Sequence, residues 1–150
     1  MLIGCDHSAL EIKKQLIEYI KTEFNIECLD VGTYSLDSCD YPDIAQSLCK
    51  QLLENKESGS CTSDSKYNFG ILICGTGIGM SMTANKFPNI RSALCFTPFM
   101  AQMAKEHNNA NILTFGSRTT KLDTMKEMIK IFIESDFQGG RHQRRIDKII

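Results

Sequence analysis

Residues 69–86 read FGILICGTGIGMSMTANK, and this stretch decides the fold. Its first part, 69–74, is almost entirely apolar, which is typical of a strand buried on both faces of a sheet. A glycine-rich run follows at 75–79, and a helix can begin at Met80. The stretch therefore predicts a buried strand that turns sharply into a helix, the first half of a β-α-β unit.

The same alternation of short apolar runs and longer helical patterns extends along all 150 residues. Further strands are predicted at 1–5, 26–31, 90–96 and 111–115. Helices are predicted at 9–24, 42–53, 80–87, 98–107 and from Leu122 onward. Regular alternation of this kind predicts an α/β fold, a doubly wound five-stranded parallel sheet with helices on both faces. The length fits one domain, 1–150, and no internal repeat is visible.

The composition is that of an ordinary globular protein, with 42% hydrophobic and 23% charged residues. The formal net charge of −1 argues against a nucleic-acid or membrane surface spread over the whole chain. The charge is unevenly placed, however. Residues 139–150 hold four basic side chains and one acidic one, a local charge of +3 that leaves −4 for the other 138 residues. The tail thus concentrates positive charge in an otherwise acidic protein.

The seven cysteines are widely spaced, odd in number and never arranged as C-x-x-C. This pattern argues against a disulfide framework or a zinc site, and it is typical of a reduced, cytoplasmic protein. The start, MLIGCDHS, lacks the segments of a signal peptide, and no stretch reaches the ~18 apolar residues of a membrane span. Residues 54–68 are polar and rich in serine, which predicts a surface insertion between the second helix and the third strand.

Polar and reactive residues cluster near the ends of the predicted strands. Asp6 and His7 follow the first strand, and Cys74 with the glycine run ends the third. Since ligands bind outside the carboxyl ends of the strands in open α/β sheets, we expect these residues to share one edge. We expect His107 and Asn108, at the end of the helix before the fifth strand, to converge on the same edge.

The glycine run 75–79 does not fit the common nucleotide-binding loops. Its third glycine comes one residue too early for the G-x-G-x-x-G fingerprint, and no G-K-[ST] ends it as in a P-loop. It can be a tight turn that requires glycine, or a set of backbone N–H groups that bind an oxyanion or a phosphate. Cys74 can be a small buried hydrophobe or, with its pKa lowered by a helix N-terminus, a base or nucleophile.

The other candidates also have plain structural interpretations. Asp6 can be a helix N-cap, His107 can be a histidine at a helix C-terminus, and the arginine tail can be a solvated helix end. Three acid–base candidates, an anion-binding loop and an arginine cluster in one small chain nevertheless favour a site for a small phosphorylated substrate.

The chain resembles type B ribose-5-phosphate isomerases, in the family that they share with the subunits of galactose-6-phosphate isomerase. The matching segments cover most of the chain: GCDHSALEIK (4–13), DVGTYSLDSCDYPDIA (30–45), GILICGTGIGMSMTANK (70–86), IRSALC (90–95), AKEHNNANILTFGSR (104–118) and FQGGRHQRRIDKI (137–149). The resemblance implies an aldose–ketose isomerase without cofactor or metal. Such an enzyme interconverts D-ribose 5-phosphate and D-ribulose 5-phosphate through an enediolate, in the non-oxidative pentose phosphate pathway. The resemblance further implies a Rossmann-like three-layer α/β/α sandwich and a homodimer, or a dimer of dimers, with sites shared between subunits.

The resemblance also implies roles for individual residues. Cys74 is the proton-abstracting base, Thr76 helps to move protons between the substrate oxygens, and His107 is the proton donor that assists ring opening. The residues implied in binding of the sugar phosphate are Asp6, His7, Tyr41, Gly75, Thr76, Gly77, Ile78, Gly79, Asn108, Arg118, Arg141 and Arg145. In this set the backbone of 75–79 holds the enediolate and the arginines bind the phosphate. Neither nucleic acid nor membrane is an expected partner.

Two other functions stay open. One is a hexose-6-phosphate isomerase of the same family, acting on allose or galactose 6-phosphate, and the other is a non-catalytic module that binds a sugar phosphate. RNA binding by the basic tail is disfavoured, because no aromatic stacking motif accompanies it.

The chain departs from the family in the length and polarity of 54–68. Some branches of the family use a carboxylate in place of the cysteine, and Cys74 places this chain in the cysteine branch. Arg144, which lies between the other arginines of the tail, has no assigned role.

Overall fold

The computed structural model describes residues 1–57 and 68–149. Within these ranges the chain has five β-strands and six α-helices. The strands are β1 (Leu2–Cys5), β2 (Leu29–Asp30), β3 (Gly70–Cys74), β4 (Ser92–Leu94) and β5 (Ile112–Gly116). The helices are α1 (Leu10–Phe24), α2 (Tyr41–Glu57), α3 (Ile78–Ala84), α4 (Pro98–Glu106), α5 (Leu122–Glu134) and α6 (Arg141–Ile146). None of the helices so described has the length and apolar character needed to cross a membrane.

All neighbouring strands of the sheet are parallel, and their order is β2-β1-β3-β5-β4. From β1 the chain passes to β2 on one side and later to β3 on the other, so the winding direction changes between β1 and β3. Ligand sites of open α/β sheets lie outside the strand ends at such a switch point. Here Cys5 of β1 pairs with Ile73 of β3, one residue before Cys74.

Helices cover both faces of the sheet. On one face Ile3, Ile71 and Leu113 form a core with residues of α1, α4 and α5. On the other face Leu72 and Ile112 pack against residues of α2 and α3. Successive strand residues alternate between these two cores, as the pleat of an extended strand requires. The predicted three-layer α/β/α sandwich with a five-stranded parallel sheet is therefore confirmed.

Several elements differ in length from the prediction. β2 and β4 are much shorter than the apolar runs 26–31 and 90–96, because both are edge strands, which have a hydrogen-bonding neighbour on one side only. α2 continues to Glu57, past the predicted end at Leu53, because three of the four residues 54–57 are Glu or Lys, which are favourable in helices. The predicted insertion thus begins inside α2, and its residues 58–67 lie outside the described part of the chain.

The crossover connections give the two edges of the sheet different loops. Each strand runs from the amino edge to the carboxyl edge, and the helix that follows brings the chain back. A connection that follows a strand therefore lies at the carboxyl edge, and one that follows a helix lies at the amino edge. This division decides which of the candidate residues can meet.

The turn from β3 into α3 requires glycine at position 77. Gly77 has φ +78°, a left-handed conformation that residues with a side chain rarely adopt. A Cβ atom there would lie 2.6 Å from Cδ1 of Leu94 and 2.8 Å from the carbonyl carbon of Phe115. The backbone of the turn therefore packs directly against β5 and leaves no room for a side chain.

Gly77→Ala should destabilise the protein by about 3 kcal/mol, because about 1–2 kcal/mol of left-handed strain adds to overpacking against β5. Gly139→Ala is the matched control, since Gly139 has φ +63° but no atom within 4 Å of its missing Cβ. The control should lose only the strain, about 1–2 kcal/mol. Urea unfolding followed by circular dichroism measures both free energies, and equal losses would contradict the close packing at Gly77.

Candidate active site

The candidate site residues form two groups at opposite edges of the sheet. The group at the carboxyl edge, which we call the thiol half-site, consists of Asp6, His7, Tyr41, Cys74, Gly75, Thr76, Gly77, Ile78, Gly79 and Arg118. The group at the amino edge, which we call the histidine half-site, consists of His107, Asn108, Arg141, His142 and Arg145. Neither group alone contains all of the predicted catalytic residues, Cys74, Thr76 and His107.

Cys74 is the last residue of β3 and is only 4% exposed. Its side chain belongs to the core under α2 and α3. The turn that follows folds back over it, so that the Gly77 N–H donates to Cys74 Sγ at 3.2 Å. One residue later the Ile78 N–H donates to the hydroxyl of Thr76 at 3.4 Å. The thiol thus lies beneath a turn that directs a backbone donor at the sulfur.

Four other cysteines have thiols that stay protonated near neutral pH. Burial raises the pKa of Cys5, Cys49 and Cys95 to about 12 and that of Cys28 to about 11. A thiol in this state can neither abstract a proton nor attack a substrate. All four pack in or against the hydrophobic cores, which agrees with a packing role.

Arg118 places a cation over the glycine turn. The Ser117 N–H donates to the carbonyl of Cys74 at 2.8 Å and the Arg118 N–H to that of Gly75 at 3.0 Å, so the loop after β5 is fastened to the end of β3. The guanidinium carbon lies 3.5 Å from the point that a Cβ atom of Gly75 would occupy. An exposed guanidinium in this position can bind a phosphate or another oxyanion over the glycine turn.

Asp6 and His7 follow β1 at the same edge. Oδ1 of Asp6 accepts from the Ser8 N–H at 2.9 Å and from the Ser8 hydroxyl at 2.6 Å, so Asp6 caps the 3-10 turn that it precedes. The Ser8 hydroxyl also lies 3.2 Å from that of Ser117, which links the connections after β1 and β5. Nδ1 of His7 accepts from the Cys39 N–H at 3.3 Å. The plain interpretation of Asp6 as a cap is therefore confirmed, and the cap also ties two strand ends together.

Tyr41, the first residue of α2, joins the thiol half-site through a close contact with α3. A Cβ atom at Gly79 would lie 2.5 Å from Cε2 and from Cζ of Tyr41, so the ring occupies the space of a missing side chain. Tyr41 is 39% exposed, which leaves part of the ring at the surface. Packing therefore requires glycine at two positions of the run, against β5 at Gly77 and against this ring at Gly79.

The histidine half-site lies at the end of α4. His107 is the C-cap residue of this helix, and its N–H donates to the Met103 carbonyl at 2.9 Å. Arg91, just before β4, donates from Nε to the Asn108 carbonyl at 3.0 Å and from Nη2 to the Asn109 carbonyl at 2.8 Å. These bonds fasten the end of α4 beside the start of β4, at the amino edge of the sheet.

The expectation that His107 and Asn108 share an edge with Cys74 is wrong. α4 returns the chain to the amino edge, whereas Cys74 ends its strand at the carboxyl edge. Between the two edges, the strand Ile112–Gly116 alone spans about 13 Å at the usual rise per residue. Within one copy of the chain these groups therefore occupy separate places.

His142 belongs to the histidine half-site, although it is not among the site residues predicted from the sequence. Its ring stacks on that of His107, with centroids 4.1 Å apart and planes at 10°. Nε of Arg141 donates to Nε2 of His142 at 3.5 Å. His142 is 6% exposed, in a helix whose arginines are all exposed. Its signal in the sequence is its place beside Arg141 in the matching segment FQGGRHQRRIDKI (137–149).

The surroundings of His142 disfavour its protonated form. Burial lowers its pKa, and the imidazole of His107 and the guanidinium groups of Arg141 and Arg145 lower the pKa further. Because Nε2 accepts a hydrogen bond, the neutral ring carries its proton on Nδ1. His142 thus presents an uncharged ring face to His107.

The sequence profile of the family described as Ribose/Galactose Isomerase matches residues 1–149. The chain belongs to this family. The predicted resemblance and the predicted enzyme class, an isomerase, are thereby confirmed.

Members of this isomerase family with more specific names are similar to the chain. The protein named Ribose-5-phosphate isomerase B from Escherichia coli (strain K12) is 36% identical over 146 residues, which are 97% of this chain and 91% of the relative. The protein named Probable ribose-5-phosphate isomerase B from Mycoplasma genitalium is 41% identical over 155 residues, which cover 100% of this chain and 93% of the relative. A crystal structure of a ribose 5-phosphate isomerase from Thermotoga maritima is 42% identical, has a TM-score of 0.88, and covers 99% of this chain and 94% of that chain.

The isomerase should lose stability as the pH falls below the unfolded-state pKa of histidine, about 6.5, in part because of His142. Its folded-state pKa is lower than the unfolded value of about 6.5, so the unfolded chain binds the proton more readily. The stabilising contribution is present above the unfolded pKa and is lost as the pH falls through the folded one. His142→Gln should therefore flatten the plot of unfolding free energy against pH. An identical slope in variant and wild type would mean that His142 is not held neutral by the fold.

Proposed function

We propose that this isomerase interconverts D-ribose 5-phosphate and D-ribulose 5-phosphate. The ribose-5-phosphate isomerase B of Escherichia coli and the structure from Thermotoga maritima are similar to it over nearly their whole length. The observation that carries the proposal is the Cys74 thiol, which accepts from the Gly77 N–H below a glycine turn, with the Arg118 guanidinium over Gly75 of that turn. This arrangement brings together a base, backbone donors for an oxyanion, and a cation.

The reaction moves one proton between two neighbouring carbon atoms. Cys74, as the thiolate, takes the proton from C2 of the open-chain aldose, and the electrons of the broken C–H bond form an enediolate. The Cys74 thiol then returns the proton to C1, which gives the ketose. Thr76, two residues further on, passes a proton from one substrate oxygen to the other, so that the charges balance.

The glycine turn stabilises the enediolate oxygen. Backbone N–H groups in residues 75–79 lie next to Cys74, and glycine lets a ligand approach them closely. One donor of this kind, directed at a developing oxyanion, is typically worth ~10²–10³ in rate. Because the donors belong to a packed turn, they need little rearrangement during the reaction.

Ring opening and phosphate binding use the histidine half-site. His107 donates a proton to the ring oxygen as the cyclic sugar opens. Arg141 and Arg145 are exposed on α6, and their guanidinium groups can bind phosphate in a bidentate manner. Phosphate binding at a distance from C1 and C2 then positions the reacting carbons. The other residues that we assign to the sugar and its phosphate are Asp6, His7, Tyr41, Ile78, Asn108 and Arg118.

We propose that two copies of the chain complete each site. The two half-sites lie at opposite edges of one copy, yet the reaction needs both. In a two-fold dimer the thiol half-site of one copy can face the histidine half-site of its partner, and the same pairing recurs at the second site. At the start of α4, Phe99 is 68% and Met100 is 40% exposed, which offers such an interface an apolar surface.

The proposal extends to the setting of the enzyme. Residues 1–150 form one isomerase domain, and its reaction belongs to the non-oxidative pentose phosphate pathway. The cysteines that the structure describes are free thiols, which fits an enzyme of the reducing cytoplasm.

Hexose 6-phosphates are the second candidate substrates, because the description of the matched family also names galactose isomerases. One additional carbon between C1 and the phosphate requires a longer distance from Cys74 to the arginines. Measurement of kcat/KM with ribose 5-phosphate, allose 6-phosphate and galactose 6-phosphate decides between the substrates. A clear preference for a hexose phosphate would replace the pentose assignment.

Cys74→Ala should lower kcat for ribose 5-phosphate by about 10³-fold or more, because the variant lacks the base for both proton transfers. Substrate affinity should change little, since the groups that bind phosphate and hydroxyls remain. A coupled assay with added chelator measures turnover, and isothermal titration calorimetry measures binding.

Cys49→Ala is the matched control for this experiment, since it removes another buried thiol from the core that contains Cys74. It should retain nearly the wild-type kcat. Unchanged turnover in Cys74→Ala would remove this residue from the role of base. Wild-type protein that turns over none of the three sugar phosphates would overturn the proposed function and favour a binding module.

A mixed dimer tests whether the sites are shared. Cys74→Ala and His107→Ala should each be nearly inactive, because each removes one half of both sites. In their heterodimer one site carries both substitutions and the other carries neither, so about half of the wild-type activity should return. Co-expression with two different affinity tags isolates this species. An inactive heterodimer would show that each site is built from a single chain.

A further inference from the structure

Lys13 is a buried charge that the mechanism does not use. It lies on α1 and is 1% exposed, and its Nζ lies 2.9 Å from Oδ1 and 2.8 Å from Oδ2 of Asp30. Nζ also donates to the Thr33 carbonyl at 2.6 Å and lies 4.6 Å from the centroid of the Tyr34 ring. All of these partners lie within residues 30–34, where β2 ends and the next loop begins.

Asp30 fastens the same loop from its own side. Its Oδ1 accepts from the Gly32 N–H at 3.0 Å, and its carbonyl accepts from the Tyr34 hydroxyl at 3.0 Å. The Thr33 N–H donates to the carbonyl of Cys5, the last residue of β1, at 3.1 Å. The ion pair therefore holds the beginning of the loop against the carboxyl end of the sheet.

Local hydrogen bonds continue along this loop to His7. The Ser35 N–H donates to Thr33 Oγ1 at 3.1 Å, and the Asp37 N–H donates to Ser35 Oγ at 3.0 Å. Further along, the Cys39 N–H donates to Nδ1 of His7 at 3.3 Å. Because a backbone N–H can only donate, Nδ1 is unprotonated and the neutral ring carries its proton on Nε2. That nitrogen is then a donor for an anion such as phosphate.

We propose that the Lys13–Asp30 ion pair is a positioning element of the substrate site. It holds the loop 31–40 so that the Cys39 N–H fixes His7 with its proton on Nε2, available to the substrate phosphate. The inference rests on the proposed function, since it assigns His7 to the binding of a sugar phosphate. Lys13 and Asp30 touch no reacting group and act through His7.

Stability alone does not explain why this pair is buried. Removing two charges from water costs free energy. A protein in which apolar residues of similar volume replace a buried ion pair is often as stable as the original, or more stable. A second ion pair on α1 offers a contrast: Lys21 Nζ lies 2.9 Å from a Glu27 carboxylate oxygen, and the side chains are 62% and 80% exposed. Glu27 follows α1 at the amino edge, away from His7, so this pair serves as a control.

The tautomer of His7 can be measured directly, because the chain has three histidines. In ring ¹⁵N–¹H correlation spectra of the wild-type protein we expect a protonated Nε2 and an unprotonated Nδ1 for His7, assigned with the help of His7→Gln. Addition of inorganic phosphate should shift the Nε2 signal. A His7 ring with its proton on Nδ1 would overturn the proposal, and this measurement requires no turnover.

Lys13→Met removes the charge at nearly constant side-chain length, and Lys21→Met makes the same change at the exposed pair. Lys13→Met should leave His7 in a mixture of tautomers. It should raise KM for ribose 5-phosphate about tenfold, the equivalent of one hydrogen bond, with little change in kcat. Lys21→Met should change neither the His7 spectrum nor KM. If Lys13→Met does not fold, Lys13→Met/Asp30→Asn removes both charges and carries the same expectations.

The outcomes separate this inference from the proposed function. A folded Lys13 variant with the wild-type His7 spectrum and KM would overturn the positioning role, and so would a fall in kcat at constant KM. Unfolding of both Lys13 variants, seen by circular dichroism, would reduce the pair to a structural role and overturn it as well. If the wild-type protein shows the expected tautomer and phosphate response but no isomerase turnover, the proposed function fails while the positioning of His7 stands.

Discussion

Parallel strands cannot be joined by a tight turn, and much of this molecule follows from that constraint. The strands of the described sheet are all parallel, so a helix has to return the chain to the amino edge before the next strand of the alternating pattern can begin. The length of a strand therefore separates residues at the carboxyl edge, where strands end, from residues at the amino edge, where helices end. Cys74 lies at the carboxyl edge and His107 at the amino edge. Within one copy of the chain these two residues therefore lie at opposite edges of the sheet, and this separation is the basis of the proposal that two copies share each site.

Close backbone contacts then give the thiol half-site its shape. At Gly77 the turn lies against Phe115 of β5, and at Gly79 the missing side chain leaves room for the ring of Tyr41. In this packed turn the Gly77 N–H points at the Cys74 sulfur, 3.2 Å away.

Two titratable side chains, Lys13 and His142, are buried on helices. The described polar partners of Lys13 all lie within residues 30–34. The ring of His142 stacks on the ring of His107. A polar group out of contact with water costs free energy unless it has partners, and here the partners come from other elements of the fold. The alkyl chain of Lys13 lies among the buried residues of α1, where an apolar residue at helical spacing would otherwise be expected. Both side chains link a helix to a segment distant from it in the sequence, which is why neither could be recognised from its neighbours along the chain.

Local pattern was enough to predict the order of the elements, the parallel sheet with its two helical layers, the glycine turn beside Cys74 and the basic tail. Each of these depends on residues close together in the chain: runs of apolar side chains, the spacing of glycines, a count of charges. The lengths of β2 and β4 were overestimated, because an edge strand extends only as far as its one neighbour pairs with it. The placement of His107 and Asn108 depended on the direction in which α4 crosses the sheet, and the burial of Lys13 and His142 depended on contacts between distant segments. Those features exist only once the layers have packed, since proximity in sequence does not specify which edge of the sheet a residue reaches or what covers it.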